Sequence, residues 1–178
     1  AAVVGQLHDA QAELAELGEL PIGAQVSVLH GVGETDMASA VSSGSKPVLC
    51  SPQQVALWSS VGNLPCDVMI DTGMNRLELT PQEAVSGLLS GLRIDTVHSH
   101  LACADEPGHA MNERQLGALR GLLTELDYQR AAIANSAGVC LGGEYALDLT
   151  RPGIGLYGGV AHPASSANLT RVVGMAAQ

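Results

Sequence analysis

Four short polar segments follow apolar runs and carry groups able to do chemistry: Asp71-Thr72-Gly73-Met74-Asn75-Arg76, His98 to Asp105, Asn135-Ser136-Ala137-Gly138, and Arg151 to Gly158. In parallel α/β folds the reactive groups lie just beyond the C-terminal ends of strands. On a barrel, loops after successive strands are neighbours on one rim and can converge on one ligand. Each segment also has a plain reading. Asp71-Thr72-Gly73 suits an ordinary strand-to-helix turn, and Arg76 suits a solvated helix charge. His98 and His100 are two apart and share one face of an extended backbone. That spacing serves a metal site and equally serves two buried, hydrogen-bonded rings. Ser136 follows Asn135 and lacks the flanking glycine of a nucleophile elbow, so it reads as a hydroxyl donor. Gly153 and Gly155 bring free N–H groups and suit an anion cradle. Gly31-Val32-Gly33 reads as a turn.

These segments need a scaffold, and the chain repeats one scheme: apolar run, turn, helical segment. Strand-like runs cover Ala1–Val4, Gln25–Leu29, Pro47–Cys50, Asp67–Ile70, Ile94–Ser99 and Ala131–Ala134, and Glu144–Leu149 leads into the Arg151-Pro152-Gly153 break. Helical patterns cover Asp9–Leu17, Glu34–Ser42, Pro52–Ser60, Pro81 to about Leu89, and Met111–Leu126. Pro52 suits a first helical position. Thr80, Pro81 and Glu83 form a cap, a first-turn proline and a capping-box partner. Alternation of this kind predicts a parallel α/β architecture. We count seven strand candidates. A closed eight-unit barrel takes about 250 residues, so 178 residues imply an open sheet or a missing strand. The strand-like start favours a missing front end. Gly158–Asn168 reads as a linker, and Arg171–Gln178 as the start of a new strand.

Composition narrows the function. The formal net charge is −10, with a single lysine, Lys46, and seven arginines. Nucleic-acid backbones and anionic membranes both require a basic footprint, so neither is a partner. The uncharged stretches Pro47–Cys66 and Pro152–Thr170 contain Pro, Gly and Ser and do not read as membrane helices. The start of the chain has no basic segment of a signal peptide. The four cysteines, Cys50, Cys66, Cys103 and Cys140, form no CxxC pair and read as reduced thiols of a cytoplasmic protein. Apolar residues make up 46% with no Phe, so the core is aliphatic. Lys46, between Ser45 and Pro47, falls at the N-terminal rim of a strand and reads as a solvated loop lysine.

Four motifs together resemble one family. IDTGMNRL (Ile70–Leu77), SHLACADEP (Ser99–Pro107), ANSAG (Ala134–Gly138) and DLTRPGIGLYG (Asp148–Gly158) are similar, in order and spacing, to alanine racemase, a pyridoxal-phosphate enzyme. The resemblance runs from about Ala1 to Tyr157. It implies an α/β chain forming an incomplete (β/α)8 TIM barrel, approximately strands two to eight, over residues 1–157. Residues 158–178 would be a linker and the start of a C-terminal β domain. The cofactor implied is pyridoxal 5'-phosphate and the substrate is alanine, interconverted between L and D forms for peptidoglycan. The full-length protein would be a homodimer.

By position, Ser136 and the backbone of Gly153 and Ile154 would hold the cofactor phosphate. Arg151 would face the pyridine nitrogen. Its guanidinium stays charged, so it can only donate. His100 would hydrogen-bond Arg151 and a catalytic tyrosine. Arg76 would bind the phenolic oxygen and the substrate carboxylate. Asn135 and Tyr157 are supporting residues. No metal is implied. Racemisation needs two bases on opposite faces of Cα. The family's lysine should precede Ala1, and the tyrosine should come from a domain following Gln178, so the chain alone should be inactive. Met69 stands where many members carry a carbamylated lysine that steadies the arginine, which leaves the support of Arg76 open. Two other readings are a non-catalytic pyridoxal-phosphate-binding barrel and a metal hydrolase built on His98 and His100 with Asp71 or Asp105.

Overall fold

The computed structural model describes residues 2–4, 25–166 and 169–170. Six strands form one parallel sheet in sequential order: β1 (Ala2–Val4), β2 (Val26–Val28), β3 (Lys46–Leu49), β4 (Pro65–Met69), β5 (Arg93–His98) and β6 (Arg130–Ala132). Among the described residues four helices lie between them: α1 (Met37–Ser43), α2 (Pro52–Ser59), α3 (Pro81–Val85) and α4 (Ala110–Leu123). Parallel neighbours need crossover connections, and helices supply them. The expected helix over Asp9–Leu17 and the strand start at Arg171–Gln178 lie outside the described residues.

Local signals explain most element boundaries. The Ser51 hydroxyl accepts from Gln54 N at 3.3 Å, and Pro52 opens α2. Thr80 and Glu83 form a complete capping box on α3. That helix stops at Val85, short of the expected Leu89. The Ser86 hydroxyl donates back to the Glu83 carbonyl, and Gly87 turns left-handed at φ 89°. Helix α1 starts at Met37, later than the expected Glu34, because residues 34–36 form a turn closed by Asp36 N on Gly33 O. Gly31 makes the expected turn, with its N–H on Val28 O at 3.1 Å.

The described residues hold six strands, not seven. Residues 143–145 coil into a 3₁₀ turn. The chain then passes beside β6, with Asp148 N on Ala131 O at 3.2 Å and Arg151 N on Ala134 O at 2.9 Å. The Asp148 carboxylate accepts from Ala131 N at 2.9 Å. A side chain therefore replaces part of the backbone ladder, and Pro152 offers no N–H to continue it.

One face of the sheet packs on the helices through an aliphatic core that includes Val28, Leu49, Val55, Val68, Ile70, Val97 and Leu119, with Trp58. The other face is polar and strongly curved. Ser27 of β2 donates to Asp67 of β4 at 2.6 Å. Lys46 of β3 pairs with Asp67 at 3.2 Å and also with Asp95 of β5. Arg130 of β6 reaches Asp95 at 2.7 Å and Gln25, beside β2, at 3.3 Å. Strands are spaced about 4.8 Å apart, so a flat sheet would separate β2 and β6 by about 19 Å. Side chains bridge that gap only because the wall curls as a barrel does. A register shift between Cys66 and Asp67 places Ile94 opposite Cys66 and Thr96 opposite Asp67. Asp95 is the extra residue, and such bulges re-aim a side chain.

Lys46 is therefore not a solvated loop lysine. It is the first residue of β3, 4% exposed, and held by two carboxylates. Burial alone raises the Asp67 carboxyl. The His98 ring, the Ser27 hydroxyl and the Lys46 charge outweigh that and hold it below its ordinary 3.8. A depressed carboxyl contributes stability above its unfolded value and loses it as pH falls through the folded one. We expect urea stability to decline as pH drops below about 4. Replacing Lys46 with Met leaves Asp67 buried without its cation and should cost about 3–5 kcal/mol at neutral pH. Urea denaturation of both proteins across pH measures each effect.

Candidate functional site

The loops after β4, β5 and β6 meet at the C-terminal ends of the strands. After β4, the Asp71 carboxylate collects three amides: Gly73, Met74 and Asn75 donate to Oδ1 at 2.7, 2.8 and 3.1 Å. Gly73 has φ 135°, and a Cβ there would stand 3.2 Å from Met111 Sδ of α4. Only glycine lets this turn lie so close to the helix. The chain then folds back, with Leu79 N on Met69 O at 3.0 Å and Asp71 N on Leu79 O at 2.9 Å. That return carries Arg76 and Glu78.

After β5, Ser99 continues the ladder through its N–H on Ala132 O at 2.9 Å. Its hydroxyl meets Thr72 Oγ1 at 2.7 Å, and its carbonyl accepts from Arg151 Nη2. His100 follows, with Nε2 3.5 Å from Asn135 Nδ2. Burial, followed by the positive charges of Arg151 and Arg76, lowers the His100 pKa to about 4. The ring is therefore neutral at physiological pH. Its Nδ1 is buried without a hydrogen-bond partner among the described residues.

After β6, Asn135 Oδ1 accepts from Gly138 N at 2.8 Å and closes the turn. This exposes the Ser136 hydroxyl, which accepts from Gly153 N at 2.9 Å and Gly155 N at 3.1 Å. Both amides are spent on the Ser136 oxygen, and the Ser136 O–H remains to donate to a ligand. Arg151 stands next to it. Burial lowers its pKa to about 10, against the pull of Glu78, so it keeps its charge at neutral pH.

These groups share a cavity of about 960 Å³, whose wall includes His100, Asn135, Ser136, Arg151, Gly153 and Ile154. Most residues expected to act together are thus brought together. Arg76 is not on that wall. Its side chain is about half exposed and pairs with Glu78 at 3.3 Å. His98 points elsewhere, buried on the polar inner face with Nε2 3.5 Å from Asp67. Among the described residues no three or more His, Cys, Asp or Glu side chains are grouped to hold a metal ion.

Two contributors escaped the sequence reading: Glu78 and Gln115. Gln115 of α4 is fully buried. Its Oε1 accepts from Ala102 N at 2.8 Å, and its Nε2 donates to the His100 carbonyl at 2.8 Å and to Thr72 Oγ1 at 3.3 Å. One amide therefore ties the loops after β4 and β5. A signal was present: Asn112, Gln115, Leu116 and Leu119 fall on one helical face. Polar residues on a stripe of that kind must find partners inside.

Fold and site define a class: a parallel α/β barrel wall whose strand-end loops build one cavity. A family model described as alanine racemase, N-terminal domain, matches residues 3–161. The chain belongs to that family. It is 39% identical over 158 residues to an alanine racemase of Rhizobium meliloti (strain 1021), spanning 84% of this chain and 42% of that protein. It is 42% identical over 145 residues to an alanine racemase of Brucella suis, spanning 76% of this chain and 37% of the relative. The crystal structure of alanine racemase from Bartonella henselae with covalently bound pyridoxal phosphate superimposes with a TM-score of 0.79. Identity there is 30%, over 88% of this chain and 47% of that one. Biosynthetic alanine racemase from Pseudomonas aeruginosa also gives a TM-score of 0.79, at 31% identity, over 95% of this chain and 49% of that one. The chain thus spans less than half the length of each of these relatives.

Two outcomes follow from the geometry. Gln115→Ala strands the Ala102 N–H and the His100 carbonyl and should cost about 2–4 kcal/mol in a urea melt. The His100 ring carbons should show no NMR titration between pH 5.5 and 8, since the ring protonates only near pH 4.

Proposed function

We propose that this chain is a barrel segment of a pyridoxal-phosphate-dependent alanine racemase. The longer protein interconverts L-alanine and D-alanine, supplies D-alanine for peptidoglycan, works in the cytoplasm and acts as a homodimer. In this reading residues 1–157 are barrel and residues 158–178 lead into a second domain. The observation that carries it is the Ser136 hydroxyl held by two backbone amides beside the buried Arg151.

The residues present suit the cofactor. A phosphate dianion requires a hydroxyl and backbone donors, and Ser136, Gly153 and Ile154 lie together on the cavity wall. No atom of the surroundings comes within 4 Å of a Cβ built at Gly153, so that backbone is open to a ligand. When bound, pyridoxal phosphate acidifies the substrate Cα–H by drawing electrons into its ring. The protein supplies the rest. Arg151, on the cavity wall, would hold the ring nitrogen through a charged hydrogen bond. It would leave that nitrogen unprotonated, because a guanidinium holds its protons at neutral pH. His100, kept neutral by burial and by two nearby arginines, carries no extra charge into the cavity; the expected hydrogen bond to Arg151 is absent among the described residues, where its ring meets only Asn135 Nδ2. Arg76, now paired with Glu78 off the cavity wall, would have to turn inward to take the phenolic oxygen and the substrate carboxylate. The two bases that exchange the Cα proton are a lysine and a tyrosine outside this chain.

Lys46 does not fill the lysine role. Its ammonium is bound by Asp67 and Asp95 at the N-terminal end of β3, away from the strand-end loops. The test uses the full-length protein that carries this segment. Incubated with L-alanine and pyridoxal phosphate, it should form D-alanine, and Ser136→Ala should weaken cofactor binding about tenfold, one lost charge-assisted hydrogen bond. The 178-residue chain alone should form no D-alanine and no borohydride-reducible adduct on Lys46. An adduct on Lys46 detected by mass spectrometry would overturn the reading.

A further inference from the structure

The loop that carries His100 leaves the sheet before it reaches the cavity. Among the described residues its ladder contact toward β6 ends at Ser99 N on Ala132 O, at 2.9 Å. His100, Leu101 and Ala102 lie on the cavity wall beyond that point. One side chain takes over from the sheet. Gln115 Nε2 donates to the His100 carbonyl and Gln115 Oε1 accepts from the Ala102 amide, each at 2.8 Å. A side-chain amide offers the same donor and acceptor as a peptide group, so Gln115 stands in for a neighbouring strand. Its Nε2 also reaches Thr72 Oγ1 at 3.3 Å, and Thr72 Oγ1 meets the Ser99 hydroxyl at 2.7 Å. The Ser99 carbonyl in turn accepts from Arg151 Nη2. We propose that Gln115 is a positioning residue: from behind the cavity wall, its one amide sets the aim of the His100 ring and, through Thr72 and Ser99, the place of Arg151. The proposal rests on the racemase reading only for its kinetic consequence.

Several observations support it. The amide has one workable orientation. A flipped group would set its N–H against the Ala102 N–H and its oxygen against the His100 carbonyl, and both contacts would turn repulsive. Gln115 is fully buried, so it has no water to turn to. Its stem is confined as well, since a Cβ on Gly73 would stand 3.5 Å from Gln115 Cγ. The path to the site is short. The His100 carbonyl and ring belong to one residue, and Ser99, which holds Arg151, precedes it. The ring itself has little else to fix it. Its Nε2 is 3.5 Å from Asn135 Nδ2, and Nδ1 has no partner among the described residues. The backbone behind the ring therefore decides where it points. Misplacing such a group by about 1 Å costs up to about a hundredfold in rate. Asn112 supplies the contrast. It lies one turn earlier on the same face of α4, is 1% exposed, and donates to the Glu106 carbonyl at 3.0 Å. That contact braces the loop before α4 and reaches no residue of the cavity wall.

The full-length protein carrying this segment tests the proposal, with Gln115→Met, Asn112→Leu, Thr72→Val and Thr72→Ser. Gln115→Met keeps the length of the side chain and removes its hydrogen bonds. The first readout is the NMR titration of the His100 ring in cofactor-free protein, whose midpoint in the unsubstituted chain is near 4. Gln115→Met should bring it above about pH 5, because a freed ring leaves its buried place beside the arginines. The second readout is kinetic. With cofactor bound, kcat should fall about tenfold while KM for alanine changes less than about threefold. Asn112→Leu also loses a buried hydrogen bond, yet its His100 midpoint and kcat should match those of the unsubstituted protein. A folded Gln115→Met whose midpoint stays near 4, or an equal change in Asn112→Leu, overturns the proposal. If Gln115→Met does not fold, Thr72 decides. Thr72→Val cuts the branch to Ser99 and should lower kcat about threefold, whereas Thr72→Ser keeps the hydroxyl and should not. Equal kcat in those two proteins overturns the proposal. If the unsubstituted protein forms no D-alanine, the racemase reading fails on its own, and the His100 titration still decides the role of Gln115.

Discussion

The Asp67 carboxylate joins three strands to its own. It accepts from Ser27 on β2 at 2.6 Å, from Lys46 on β3 at 3.2 Å and from the Thr96 amide on β5 at 3.0 Å. It is 1% exposed. Removing a carboxylate from water is costly unless cations and donors surround it. Here they do, and only in a curved wall, because β2 and β4 are not neighbours in the sheet order. Apolar residues could fill a barrel interior at lower electrostatic cost. The polar choice specifies geometry instead: a flattened or slipped sheet would leave Asp67, Lys46 and Asp95 unpaired together.

That curvature is what brings three loops to one place. The loops after β4, β5 and β6 begin at neighbouring positions on the rim and are then fastened to one another. Thr72 meets Ser99, Gln115 bridges Thr72 and His100, and Arg151 binds the Ser99 carbonyl. None of these contacts is between residues adjacent in sequence. The outcome is a cavity edged by the Ser136 hydroxyl, His100 and the buried Arg151. Two consequences are electrostatic. His100 remains neutral, and Arg151 remains charged despite burial. Preorganised charge of this kind is what a site needs to hold an anion without rearrangement. The same arrangement explains the division of the chain's polar residues. Those at the N-terminal ends of the strands neutralise one another, while at the C-terminal ends Arg151 Nε is buried without a partner among the described residues.

Much of the fold was legible because it depends on local rules. Alternating apolar runs and helical stripes marked the strands, and Thr80-Pro81-Glu83 marked a helix start that the structure closes as a capping box. Helix ends were less legible. The stop after Val85 depends on Gly87 taking a left-handed conformation and on a serine side chain turning back. The strand count was overestimated where Asp148 substitutes a side-chain contact for the ladder. Lys46 was misjudged for a related reason. Its neighbours Ser45 and Pro47 look like a loop, and its partners Asp67 and Asp95 lie 21 and 49 residues away.

The sequence by itself determined the α/β class, the family, and the identity of the residues at the strand ends. It did so because motif order and hydrophobic period are properties of the chain alone. Only the tertiary structure decided which of those residues meet. It placed His100, Ser136, Arg151, Gly153 and Ile154 on one cavity. It set Arg76 beside Glu78 and gave Gln115 its bridging role. It also turned the single lysine into a buried brace. These outcomes follow from curvature and burial, which create partners across the sheet that no linear spacing encodes.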